Sequence, residues 1–393
     1  MGGGVKRVEG SGASAIRILG EYKELLEKCT ECEACGTACS LYIVSNRKEY
    51  SPMSRVLGAK SILKGTTKPS KIVDTIYTCT CCGTCVPVCP NDIPIPDITR
   101  VLRRLSIERG LIPEPIARIC NNIVESGSMV GKGPEFWKSW VPGDFQIPVR
   151  ADMLYLVGCM IPFRLQRIGH ATVDILRRAG ESFSILGENE RCCGLFLYDN
   201  GLISEVKRIA EKNLSTIEEL GVSRVVFACA ACYFTYTHVY PIVSRRPNFE
   251  VLHVSEVLLE LLEAGKIRLT RKIEEKVTIL DPCHFTKFTK KYDVPRRVIE
   301  HISGIELVEM ERTREKAYCC GAPSGVKAAY RQLADMVAKK IIEDAARLGV
   351  SRIITACPLC NYHLNSVLAK SEELKDVGIR VTDLPELLHE AMG

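Results

Sequence analysis

An α-helical N-terminal module followed by a duplicated α/β domain with mainly parallel sheets is the fold class this sequence predicts. Three observations carry the prediction. Up to about Ser126 the chain alternates helix starts with short cysteine-rich loops. Beyond Arg150 it repeats itself at offsets of 124, 127 and 128 residues, the signature of a copied structural unit. Within each copy, short β-branched runs alternate with long amphipathic stretches, as parallel sheets flanked by helices require. The boundaries that follow are a helical module over 1–126, a connector over 127–150, a first α/β domain over 151–270 and a second over 271–393.

In the helical module, Ile18, Leu19, Tyr22, Leu25 and Leu26 share one face of a helix over residues 14–28 that delivers Cys29 at its end. Further helices are expected after Ser51-Pro52, Pro69-Ser70, Pro96-Asp97 and Pro113-Glu114-Pro115, where proline or a capping residue suits a first turn. From Gly127 to Arg150, glycines, prolines and the cluster Phe136, Trp137, Trp140 break periodicity. That predicts an ordered connector packed between domains. In the α/β part, segment 151–159 aligns with 275–283, Cys192-Cys193-Gly194 with Cys319-Cys320-Gly321, and 221–232 with 349–360. Strands over Met153–Val157 and Ser184–Leu186 alternate with helices over Leu165–Arg178 and Ile203–Leu220. Cys159, Cys229, Cys283 and Cys357 each follow a strand, at the carboxyl edge where open sheets of this class place ligands. The run from Val225 to Val243 has no Asp, Glu, Lys or Arg over 19 residues, near the length of a membrane span. Cys229, Cys232, His238 and Pro241 interrupt it, and its counterpart in the second copy is polar, so buried strand, turn and helix are expected.

With 393 residues, 46% hydrophobic and 25% charged, the chain has enough core for two or three domains. Its 20 cysteines are therefore not staples for a fold too small to stand alone. The first 20 residues carry Lys6, Arg7, Glu9 and Arg17 and no apolar leader. A reducing, cytoplasmic setting follows, in which spaced cysteines read as metal ligands before disulfides. The net charge of +6 is spread along the chain, so nucleic acid is not expected as a partner.

The cysteine spacing is specific. Cys29-x2-Cys32-x2-Cys35-x3-Cys39 and Cys79-x2-Cys82-x2-Cys85-x3-Cys89-Pro90 are ferredoxin-type runs, in which the fourth cysteine serves the other cluster. One cubane 4Fe-4S cluster is thus assigned to Cys29, Cys32, Cys35 and Cys89, and a second to Cys79, Cys82, Cys85 and Cys39. Structural zinc more often takes two short pairs separated by a longer loop. Ser40 stands where such runs often have proline, and the 39 residues between Cys39 and Cys79 call for inserted helices. The second half gathers five thiols per copy: Cys159, Cys192, Cys193, Cys229 and Cys232, then Cys283, Cys319, Cys320, Cys357 and Cys360. Adjacent cysteines fit one compact ion poorly but suit a larger cluster. A glycine after each pair permits close approach or positive φ. Cys229-x2-Cys232 and Cys357-x2-Cys360 are expected to open helices, whose amino-terminal partial charge favours thiolates.

On these residues the chain resembles the heterodisulfide reductase family, whose D subunits join a ferredoxin module to two five-cysteine CCG domains; the likeness covers nearly the whole chain. It implies a non-cubane 4Fe-4S cluster on each five-cysteine set, those ten cysteines being the catalytic ones, with a small disulfide or thiol substrate between them. The implied activity is that of a CoB-CoM heterodisulfide reductase: two cubanes relay electrons to the paired clusters, which reduce a disulfide, or the reverse thiol oxidation runs. The same order of domains occurs in iron-sulfur electron-transfer subunits of flavin-linked glycolate or lactate dehydrogenases, so that reading stays open beside it; a zinc scaffold is a third. Either redox reading needs a partner protein, a membrane cytochrome b-type subunit or a flavoprotein, which could hold the chain at a membrane surface. No G-x-G-x-x-G or G-x4-G-K-S/T motif is present, so nucleotide and flavin binding are not indicated.

Cys81 reads as a small neighbour of the ligands and Cys120 as core. His284, beside Cys283, reads either as a proton donor to a product thiolate or as a turn cap. Lys287, Lys290, Lys291, Arg296 and Arg297 read as a solvated helix face, or as a guide for an anionic substrate or partner. The remaining six histidines show no metal-ligand spacing.

Overall fold

The structure, a computed structural model, describes residues 14–148 and 150–393. The sequence reading of Lys6, Arg7 and Glu9 lies outside them. The helical module opens with two short helices, Ala15–Glu21 and Lys23–Glu27, instead of one over 14–28. The break falls at Tyr22, whose N–H bonds back three residues to the Leu19 carbonyl (3.1 Å). Ala15, Leu19 and Leu26 are the buried residues of the pair, and the N–H of Ala15 is capped from far along the chain by the Glu108 carboxylate at 3.1 Å. Helix Pro52–Leu63 starts as its sequence demands, with Pro52 in the first turn and Ser51 Oγ accepting from Ser54 N at 3.1 Å. Helices Ile95–Glu108 and Glu114–Ser126 complete the module.

The connector holds a short helix, Pro134–Lys138, and buries Trp137 and Trp140. Trp140 lies edge-on to Tyr155 at 6.1 Å and fills the space over Gly169, where a Cβ would meet its ring at 2.5 Å. The connector's Trp140 is therefore packed onto the first α/β unit.

Two four-stranded parallel sheets follow. In the first, β1 (Met153–Leu156), β2 (Phe183–Ile185), β3 (Arg224–Phe227) and β4 (Glu250–His253) are ordered β2-β1-β3-β4, with Met153 opposite Phe183 and Arg224. In the second, β5 (Glu275–Leu280), β6 (Ile305–Leu307), β7 (Arg352–Thr355) and β8 (Arg380–Asp383) are ordered β6-β5-β7-β8. Both faces of each sheet are covered, so the central strands read as continuous apolar runs. Alternate residues then enter different cores. Leu154, Val225, Phe227, Leu280 and Ile353 join the core shared with the helical module, whereas Tyr155, Val226, Ile279 and Ile354 face a second core between the two units. Helices Gln166–Arg178 and Leu384–Met392 meet there, with His389 Nε2 at 2.8 Å from Asp174 and Arg167 at 3.3 Å from Glu386. The apolar stretch from Val225 is strand, then the helical turns Ala230–Phe234, Thr235–Val239 and Tyr240–Val243. Among the described residues no helix is long and apolar enough to cross a membrane.

Candidate functional site

The cysteines gather into four groups. Cys29, Cys32, Cys35 and Cys89 line one small cavity with Glu31, Glu33, Pro90 and Asn91. A loop without regular structure carries Cys29 and Cys32, Cys35 lies in the short helix Ala34–Thr37, and Glu31 and Glu33 take positive φ to turn the loop. Burial and the thiols of Cys29, Cys89 and Cys32 push Cys35 up to about 11; Cys32 is exposed. In the second group Cys85 feels Cys79, Cys82 and Cys39. The fourth cysteine of each run thus sits with the other run's first three. Burial pushes Cys39 up to about 11, opposed by the Arg55 guanidinium. Cys81 is fully buried, with φ of 51°, and its N–H donates to Cys79 Sγ at 3.4 Å.

The third group comprises Cys159 after β1, Cys192 and Cys193 on a loop, and Cys229 and Cys232 after β3. Cys192 is within hydrogen-bond reach of Cys159 and Cys193, and Cys193 of Cys232. The fourth comprises Cys283 after β5, Cys319 and Cys320 on the matching loop, and Cys357 and Cys360 after β7, linked in the same way. Cys229 and Cys357 are the N-cap residues of their helices. All ten are buried. Gly194 and Gly321 take φ of 84° and 92°, and a Cβ on Gly321 would stand 2.9 Å from the Ala334 carbonyl oxygen, so glycine is required after the pair. Among the described residues no three His, Cys, Asp or Glu side chains gather as one metal ion would need.

The groups touch in a fixed order. Cys82 of the second is within hydrogen-bond reach of Cys319 of the fourth, and Cys229 of the third within reach of Cys357 of the fourth. Groups three and four border one cavity, lined by all five thiols of the third and by Cys283, Cys357 and Cys360 of the fourth. Met129, Met160, Leu195, Phe196, Pro282 and Leu359 supply apolar wall, and Asp199, His284 and Ser324 supply polar atoms. His284 is 3% exposed, with Nδ1 3.5 Å from Cys283 Sγ and its ring stacked on Phe288. Burial holds its pKa below the usual imidazole range.

Sequence reasoning missed a buried polar network beneath this cavity. Arg100 Nε donates to Asp199 Oδ1 at 3.0 Å, and Ser324 Oγ donates to Asp199 Oδ2 at 2.6 Å. Arg103 Nη1 donates to the Asp199 and Ser324 carbonyls at 3.0 and 3.2 Å, and its Nε to the Ile76 carbonyl at 3.1 Å. One signal was available: two arginines at (i, i+3) on a helix whose other residues are largely apolar. Glu190, 3% exposed, accepts from Gly158 N at 2.7 Å and so fixes the loop into Cys159; burial pushes its carboxyl up to about 7. The basic stretch needs correction. Lys290 and Arg297 are exposed, but Arg296 is 3% exposed and grips Asp281 in a bidentate pair at 2.8 and 2.9 Å, directly before Pro282 and Cys283. Lys287 Nζ donates to Thr84 Oγ1 and to the Ala317 carbonyl, and Lys291 pairs with Glu256. These three cations found local anions or carbonyls once the chain folded, and no continuous solvated face is left. Cys120 lies fully buried in the core.

Comparison with known proteins agrees with this arrangement. The cysteine-rich CCG domain matches residues 153–236 and again 277–365, and the 4Fe-4S dicluster domain matches residues 25–93. The chain is 32% identical over 389 residues to the D subunit of the dihydromethanophenazine:CoB-CoM heterodisulfide reductase of Methanosarcina mazei, covering 94% of each. The chain belongs to the family of heterodisulfide reductase D subunits. It is also 28% identical to the B subunit of the CoM/CoB fumarate reductase of Methanothermobacter marburgensis, covering 92% of this chain and 72% of that one. A hypothetical protein from Helicobacter pylori shares the fold, with a TM-score of 0.54 at 10% identity over 96% of this chain and 76% of that one. Family membership makes the chain an iron-sulfur oxidoreductase subunit.

Proposed function

We propose that this subunit reduces a disulfide, with cubane 4Fe-4S clusters on Cys29, Cys32, Cys35, Cys89 and on Cys79, Cys82, Cys85, Cys39, and non-cubane 4Fe-4S clusters on the two five-thiol groups of a duplicated α/β domain. One observation carries the reading: all five thiols of one group and Cys283, Cys357 and Cys360 of the other line a single, mostly apolar cavity. Their donor chemistry fits such clusters, because ten buried thiols in two crowded sets are soft ligands of the kind iron-sulfur clusters take. When bound, the clusters supply single electrons at two neighbouring iron sites.

The chain's own residues do the rest. Met129, Met160, Leu195, Phe196 and Leu359 exclude water and give alkyl arms of a disulfide an apolar seat. Glu190 and the Arg296–Asp281 pair hold the strand ends that present Cys159 and Cys283. His284, neutral and lining the cavity, is placed to hydrogen-bond a product thiol through Nε2, which has no partner among the described residues. The balanced change is one disulfide, two electrons and two protons giving two thiols. The CoB-CoM heterodisulfide is the first substrate to try, since the Methanosarcina relative is named for it. The reverse thiol oxidation uses the same site, consistent with a relative named as a CoM/CoB fumarate reductase. Electrons come from a partner, a membrane cytochrome b-type subunit or a flavoprotein.

Chain purified without oxygen should carry about 16 iron atoms and cleave the heterodisulfide with reduced viologen. Cys193→Ala and Cys283→Ala should each lower turnover about a hundredfold or more. Undiminished turnover in both would end the proposal. A fully loaded chain that cleaves no disulfide but accepts electrons from a flavoprotein oxidising lactate or glycolate would make it an electron-transfer subunit instead.

A further inference from the structure

We infer that Arg55 is a fixed counter-charge for the cubane held by Cys39, Cys79, Cys82 and Cys85, raising its reduction potential above that of the cubane on Cys29, Cys32, Cys35 and Cys89, so that electrons run inward. The inference rests on the cluster assignment above and adds a direction to it.

Arg55 lies on helix Pro52–Leu63 and is 1% exposed. Its Nη2 donates to the Thr78 carbonyl at 2.9 Å, the peptide that leads into Cys79. Its Nε makes no hydrogen bond, and no ion pair joins it to a carboxylate among the described residues. A buried guanidinium without an anion is strongly disfavoured, so the anion must be supplied by something else. The acidic groups that face it are Cys39, Cys79, Cys81 and Cys85, three of them proposed ligands of one cluster. Lys287, bonded to Thr84 and Ala317, adds a second positive charge where Cys82 meets Cys319.

The outer group has the opposite surroundings. Cys32 is exposed, Glu31 and Glu33 line its cavity, and no Lys or Arg does among the described residues. Reduction adds one negative charge to a cluster. A fixed cation in a poorly polarisable interior favours the reduced form, while Glu31 and Glu33 disfavour it at the outer site by more than water there offsets. One electron passed from the outer to the inner cubane therefore moves toward Arg55, and from there the contact of Cys82 with Cys319 leads to the fourth group.

The test uses the full chain, purified anaerobically with iron and sulfide counted, in a reductive titration followed by electron paramagnetic resonance. Two cubane signals of different potential are expected. Cys32→Ser, a ligand change in the outer group, should displace the lower one. Arg55→Met should weaken reduction of the higher one at least tenfold, about 59 mV for a one-electron couple, and Arg55→Lys should restore most of it. Unmoved potentials in loaded Arg55→Met would overturn the inference. So would Cys32→Ser displacing the higher signal, a measurement that decides even if Arg55→Met fails to fold. Absence of a cluster on the inner group in the unmodified chain would instead sink the cluster assignment itself.

Discussion

Asp199 is a carboxylate on which the three parts of the chain converge. Arg100 reaches it from the helical module and Ser324 from the second α/β unit, while Asp199 itself follows the Cys192-Cys193-Gly194 loop of the first. Ser324 accepts a φ of 59° to do so, a strained backbone that costs of order 1–3 kcal/mol and persists only where its surroundings enforce it. Arg100's other carboxylate, Asp97, is 47% exposed and a weak substitute. Asp199→Asn should therefore leave a buried cation poorly compensated and lower stability by about 3 kcal/mol, read as a fall in the denaturant midpoint; an unchanged midpoint would show that Asp97 suffices. The eighteen proposed ligands were legible in the sequence because their spacing is short-range and repeated. Arg55, Arg100, Arg103, Asp199 and Ser324 were not, since each meets its partner across tens to hundreds of residues and only burial makes the meeting matter.

The elements were easiest to read where local chemistry and burial agree. Ser51-Pro52 opens a helix, the β-branched run before Cys229 is a strand, and Cys229 and Cys357 begin helices. The helix over 14–28 was legible as helix but not as two pieces, because the apolar face of Ile18, Leu19, Tyr22, Leu25 and Leu26 continues through the break at Tyr22. His253 illustrates a cap that composition did not reveal: its Nδ1 accepts from Ser255 N at 3.3 Å at the start of helix Val254–Glu263. Burial first, and then Lys291, depress its pKa to about 3. The unfolded chain, titrating near 6.5, binds that proton first, so stability is full above about pH 6.5 and is lost as pH falls toward 3. At pH 5 the loss is about 2 kcal/mol. His253→Asn keeps a good cap and should flatten the fall in melting temperature between pH 7 and pH 5; an equally steep fall would assign the acid sensitivity elsewhere, to His363, held at about 4, or to His238 and His284, which burial also holds low.

At the scale of the molecule the inner group of thiols meets the group of the second α/β unit, which in turn meets that of the first. That order reverses the chain order of the last two and was invisible in the sequence, where nothing says which repeat the helical module will meet. The loops around Cys29–Glu33 and Cys79–Gly83 have no regular hydrogen-bonded structure, whereas Cys159, Cys229, Cys283 and Cys357 of the α/β units closely follow strands β1, β3, β5 and β7. Removing iron with a chelator should thus open the N-terminal loops to proteolysis while the sheets keep their circular dichroism. Cleavage spread evenly into residues 153–393 would show that the clusters hold the sheets together as well.

The sequence by itself determined the two kinds of cysteine group, the repeat, and the parallel α/β character of each repeat, because spacing, period and alternation are local properties of a chain. Only the tertiary structure decided which groups touch, that two of them share one apolar cavity, and which buried charges stand beside them. Those depend on how separate helices and sheets pack, and packing selects partners by shape and by the cost of burying an unpaired charge, neither of which is written at short range.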